Sequence, residues 1–119
     1  RHPVRRVTVA GGVAKISKLA QGFLDLHSRR GQADMAELAR DAARAGAGAD
    51  LVAQIASTHT VAAAFALATA AGIDLGAVIT CRAWGVGRTV LAGSGCALDI
   101  LMFDRAGALV ARHGPHDVD

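Results

Sequence analysis

The sequence predicts a small α/β domain. Its architecture is a three-layer-like unit with a first strand, a glycine turn, four to five helices and a terminal β-hairpin, together forming part of a larger sheet. Three observations predict it. The chain opens with a β-branched run that meets two glycines and then a helical pattern. Its middle is rich in alanine and arginine, which favour helices. It closes with an apolar stretch, ALDILMFD, followed by a turn and a second short apolar run.

At 119 residues the chain is long enough for one compact core and too short for two. Residues 1–119 are therefore expected to form a single domain, with 113–119 a loose polar tail. The chain starts Arg-His-Pro and enters a core strand almost at once, as expected of a piece or processed product of a longer protein. Tyrosine is absent and aromatics make up only 3%, so Ala, Val, Leu and Ile must build the core. Few stacking side chains and a mild net charge of +3 also make a nucleic-acid partner an unfavoured reading. The charge suits an acidic small molecule at least as well.

The first strand is read over residues 4–9, where Val7 and Val9 carry the β signal. Ala10, Gly11 and Gly12 form the turn, and a helix begins at Val13. Free N–H groups at that helix start can meet an anionic or polar ligand group. Val13, Ile16, Ala20, Phe23 and Leu24 recur at helical spacing as the buried stripe. Lys15, Lys18, Gly22, Asp25 and Arg29 share another face. Lys15 and Lys18 are the only lysines in the chain, which leaves two readings: a solvated face, or ammonium groups aimed at carboxylates. His27 lies on the apolar side, either as a core or capping residue or as a catalytic one.

After Gly31 the spacing predicts a helix over 33–45. Met35, Leu38, Ala39 and Ala42 face inward, and the Glu37–Asp41 and Arg40–Arg44 pairs lie outside. Gly46 and Gly48 end it. A short helix is expected from Ala49 or Asp50 to Ile55. The cluster at 57–60 reads as a cap for a third long helix over 61–71. This segment is apolar but too short to cross a membrane, so it is read as a buried helix. Asp74 caps a fourth long helix from Leu75, weakened by Gly85 and Gly87 at about 1 kcal/mol each relative to alanine. Trp84 is expected to anchor it.

Residues 97–104 read as an inner strand with two apolar faces. Arg105, Ala106 and Gly107 turn the chain, and 108–111 return as the second strand of the hairpin. Asp99 and Asp104 fall on opposite sides of the strand and make a poor acid/base pair. Cys81 and Cys96 form no CxxC pair. They are read as buried, reduced thiols of a cytoplasmic protein, and no metal site is expected. GxGxxG and Walker A motifs are absent.

The longer string is more specific. Gly12-x-x-Lys15-x-x-Lys18-Leu19-Ala20-x-Gly22, followed by His27-Ser28, resembles the segment GKLAKLAAGHFNTHS in the C-terminal part of the CbiD-type cobalt-precorrin-5B C(1)-methyltransferases. Residues 33–39 resemble the helix that follows in that family. Ser57-Thr58 with 61–75 resembles its "ANT…EAL…AGL" segment, and 98–111 its closing hairpin. Ala14 and Ser57 depart from the family's glycine and asparagine, and the acidic residues usual near Val61 are missing. The family's N-terminal part is not in this sequence.

The resemblance implies methyl transfer from S-adenosylmethionine to C-1 of a cobalt-containing tetrapyrrole in cobalamin biosynthesis. On that reading Gly11 and Gly12 approach the cofactor through their backbone. Lys15 and Lys18 pair with substrate carboxylates. His27 is a candidate proton acceptor, with Ser28 at the far end of the pocket. Thr58 either lines the site or only caps a helix. The implied partners are the tetrapyrrole and the N-terminal part or a second copy. The alternative is a non-catalytic structural or partner-binding domain.

Overall fold

The computed structural model describes residues 5–22 and 33–118. Among these the chain forms β1 (Arg5–Gly12), α1 (Val13–Ala20), α2 (Met35–Arg44), α3 (Ala49–Ser57), α4 (Val61–Ala70), α5 (Leu75–Val90), β2 (Cys96–Phe103) and β3 (Leu109–Asp117). The sheet order is β1-β2-β3. β1 runs parallel to β2, with Val7 opposite Leu98 and Gly12 opposite Phe103. β2 and β3 form the antiparallel hairpin.

The α/β class is therefore as the sequence predicts, in layers of sheet, then α1 and α5, then the remaining helices. Leu98, Ile100 and Met102 of β2 are fully buried against the helices, together with Ile16, Leu38, Ile55, Leu75 and Ile79. α5 lies on β2 and β3, while α1 packs beside it near β1. α2, α3 and α4 pack on one another and on α1 and α5.

Five local expectations change. First, there is no turn at 10–12. β1 continues through Gly11 and Gly12, and Gly12, with extended backbone, is itself the N-cap of α1. Second, α1 stops at Ala20. Gly22 takes φ +88°, and its N–H bonds the Leu19 carbonyl at 2.9 Å, closing the helix where the apolar spacing alone would carry it onward. Phe23 and Leu24 lie outside the described residues.

Third, residues 113–117 are not a loose tail but the second half of β3. Gly114 makes this possible: at φ +91° it passes so close to Leu98 and Asp99 that a Cβ would collide with their backbone. Pro115 lacks an N–H, which the outer edge of the sheet tolerates. Beyond it the Val118 N–H bonds the Cys96 carbonyl at 2.9 Å.

The helix from Leu75 stands as expected, and α5 runs unbroken through Gly85 and Gly87. A Cβ at Gly87 would lie 2.9 Å from Leu98 Cδ2, and one at Gly76 would lie 2.8 Å from Ala111 Cβ. These glycines therefore let the helix sit close on the sheet. Fourth, Asp41 is not an outer residue. It is 1% exposed and accepts from Arg82 Nη1 at 2.7 Å and from Arg44 Nη1 at 2.7 Å. Arg82 also reaches Glu37 at 3.0 Å, tying α5 to α2. Burial works against the Arg82 charge, but its bonds to Asp41 and Glu37 outweigh that and hold it more firmly protonated. Fifth, Cys81 is exposed, so only Cys96 is the expected buried thiol.

Candidate functional site

β1 and β2 run parallel, so their carboxyl ends, Gly12 and Phe103, lie side by side. In open α/β sheets such ends are where ligands bind. α1 starts there with no intervening residue. No side chain caps its first turn, and no acidic residue lies within it. Among the described residues its leading N–H groups thus have no side-chain partner, and they carry the positive end of the helix dipole. A Cβ built on Gly12 would meet only the Phe103 carbonyl oxygen, 4.0 Å away, so the space beside this backbone is open.

Next to this junction lies a cleft of about 880 Å³, bordered by Val13, by Phe65 and Thr69 of α4, by Asp74 and Gly76 at the start of α5, and by Asp104 and Arg105 of the hairpin. Its wall includes Ala62, Ala66 and Ala70, which are exposed on α4. The expectation of a buried helix over 61–71 therefore holds for one side only, where Val61, Ala64, Phe65 and Ala68 enter the core. Both acidic residues at the cleft have local duties. Asp74 Oδ1 accepts from the Ala77 N–H, and Asp104 Oδ1 accepts from the N–H groups of Ala106 and Ala108. Arg105 is exposed at the rim.

The sequence-predicted residues fall around this region unevenly. Gly11 and Lys15 are together: a Cβ at Gly11 would come within 2.8 Å of Lys15 Cδ, so the lysine's methylene stem folds back across the glycine. Lys18 is half-buried one turn further along α1. Lys15, Lys18, Gly11 and Gly12 are not among the residues bordering the cleft, which meets this segment only through Val13. Thr58 stands apart, between α3 and α4, where its hydroxyl donates to the Ile55 carbonyl at 3.0 Å. Thr60 is the side chain that caps α4. His27 and Ser28 lie outside the described residues.

The cleft itself was not foreseen from sequence. It is assembled from four separate segments, and its polar members read as ordinary cap and turn residues. Asp99 and Asp104 do not act together: Asp99 is wholly buried in the sheet, and Asp104 shapes the hairpin. Thr8 Oγ1 donates to Asp99 at 2.6 Å, Arg6 bonds it through Nη2 at 2.8 Å, and Arg112 Nη2 lies at 3.3 Å. The hydrogen bond from Arg6 holds the Asp99 carboxyl below the usual carboxylate range, against the opposing effect of burial. Among the described residues there is no cluster of three or more metal-ligating side chains, and no helix is long and apolar enough to cross a membrane.

The fold and the cleft define a small α/β domain with an open crevice near the carboxyl ends of its parallel strands. The family model of the CbiD C-terminal domain matches residues 25–114, and this chain belongs to that family. The protein named cobalt-precorrin-5B C(1)-methyltransferase from Agrobacterium fabrum is 54% identical over 93% of this chain and 30% of its own length. Its namesake from Halorhodospira halophila is 51% identical over 96% and 31%. That from a Bradyrhizobium strain is 45% identical over 94% and 30%. The chain thus spans less than a third of the length of these relatives. No solved structure matches it.

Proposed function

We propose that this chain is the C-terminal domain of a cobalamin-biosynthesis enzyme that methylates C-1 of cobalt-precorrin-5B with S-adenosylmethionine, and that it supplies one wall of the site at the carboxyl ends of β1 and β2. The observation that carries the placement is the α1 N-terminus, which lacks a side-chain cap and has open space beside Gly12. An uncapped helix start is suited to a carboxylate, such as the one on the methionyl part of the cofactor. When bound, S-adenosylmethionine supplies an electrophilic methyl group on its sulfonium. The chain's own part is to hold and align, which by itself accounts for a large share of the rate in reactions of this kind.

In this reading the backbone at Gly11 and Gly12 borders the cofactor. The apolar wall of α4 and Phe65 excludes water from the macrocycle. Lys15 and Lys18 receive its carboxylates, and His27 accepts a proton with Ser28 beside it. Arg105 joins the cationic set from the opposite rim. Thr58 is assigned to its helix, since its hydroxyl is already bonded to Ile55.

One observation favours a second reading, in which the domain is a structural partner and the reacting groups come from elsewhere. Among the described residues, the groups whose ionisation the fold displaces, Arg6, Asp99, Arg82 and His113, all lie outside the cleft. Calorimetric titration with S-adenosylhomocysteine separates the two. A Cβ at Gly12 is tolerated, so Gly12→Ala and Gly12→Val should fold normally. Binding to the parent chain that drops at least about tenfold in Gly12→Val is the expected result; equal binding in both would remove the cofactor from this junction.

A further inference from the structure

Among the described residues, the helices cover only one side of the sheet. Along β2, Leu98, Ile100 and Met102 enter the core, whereas Ala97, Leu101 and Phe103 alternate to the other side and stay outside it, half-buried. Opposite Leu101 stands Ala10, which is exposed. Opposite Phe103 stands Leu109, 53% exposed. These four make an apolar half. The other half is cationic: Arg6 and Arg112 close over Asp99 while their own side chains remain 51% and 44% exposed. β1 is eight residues long and pairs only with β2 among the described residues, so one of its edges is open.

A long uncovered edge beside an apolar face is a liability that proteins generally cover, and three strands make a small sheet. More than two-thirds of each relative lies outside the match. The matching family is a C-terminal domain, so that remainder precedes it. We propose that the outer sheet face and the free edge of β1 are the seat of this N-terminal region in the full-length protein. A strand of it pairs with β1, its apolar side chains cover Leu101, Phe103 and Leu109, and its carboxylates meet Arg6 and Arg112. A face that is half apolar and half charged is typical of contacts between domains of one chain. The inference rests on family membership and the sheet, not on the reading of the cleft, so a failed cofactor titration leaves it standing.

Hydrogen exchange tests it. The chain is measured alone and fused behind the N-terminal region of the Agrobacterium fabrum relative. The β1 amides that do not bond β2 are expected to exchange at least about tenfold more slowly in the fusion. Leu109→Glu, at an exposed position, should reverse much of that protection without changing the thermal midpoint of the isolated chain. Equal exchange in both forms would overturn the proposal. So would protection of the isolated chain that grows with its concentration, which would make a second copy the occupant.

Discussion

The indole N–H of Trp84 donates to the backbone carbonyl of Leu98 at 2.8 Å, where the pairing of β2 with β3 shifts register between Leu98 and Ile100. The bond fastens the middle of α5 to the strand at its irregular point. Trp84→Phe keeps much of the apolar area but removes the donor. A loss of about 1–2 kcal/mol is expected, the range for a hydrogen bond whose remaining partner is left buried. Urea unfolding at unchanged slope measures it; a loss below about 0.5 kcal/mol would mean that the contact is packing alone.

His113 and His116 stack edge-on against the same indole, with ring centroids 5.7 Å from it and 4.8 Å from each other. Burial, and then the neighbouring charge of His116, lower the His113 pKa from its usual 6.5. Arg88 lies over the indole at 5.5 Å. The unfolded chain therefore takes up this proton before the folded one does. Stability should be complete above about pH 6.5 and decline as pH falls through the lowered folded value. Thermal midpoints between pH 7.5 and 5 should fall less steeply in His113→Asn than in the parent; parallel curves would remove His113 from the effect.

Asp99 joins all three strands through Thr8 and Arg6 of β1 and Arg112 of β3. Asp99→Asn keeps the shape and removes the charge. The expected cost is about 1–3 kcal/mol, held to this range because both arginines are half in solvent. The carboxylate's contribution is present above its ordinary pKa of 3.8 and is lost as pH drops through the lowered folded value. The variant should thus differ from the parent at pH 7 and converge toward it in strong acid, as circular dichroism melts would record.

The stem of Lys15 lies across Gly11. Gly11→Ala should push that flexible side chain aside with little change in stability. If the ammonium binds substrate carboxylates, Lys15→Ala should weaken tetrapyrrole binding by about 1–3 kcal/mol, and Gly11→Ala should do so by a smaller amount. An affinity in Lys15→Ala equal to the parent's would sink that role.

The helices were legible wherever apolar spacing coincided with a cap: Asp34, Thr60 and Asp74 each accept from the first turn they precede. The alternation in β2 likewise announced an inner strand. What misled was glycine. Gly11 and Gly12 read as a turn but extend β1, Gly22 read as helical but ends α1, and Gly87 read only as a weak point of α5 although it lets the helix approach the sheet. At Gly87 the outcome depends on what lies opposite, the Leu98 side chain, and one-dimensional spacing carries no record of that. The lysine and glycine string lies at the carboxyl end of β1 and the start of α1. The cleft beside it stayed hidden because α4, α5 and the hairpin converge there only in three dimensions.

β1 passes into α1 without a connecting residue, and this fixes the length of the segment. Adding one residue between Gly12 and Val13 would turn the helix by about 100°. Ile16 and Leu19 would leave the core, and the polar side of α1 would be driven toward α5. Deleting one would rotate it as far the other way. Exposed turns such as that at Arg105 can absorb a change in length, whereas this junction cannot. Insertions and deletions in natural variants of the domain should therefore be absent between Val9 and Ala20 and gather in the turns between the later elements.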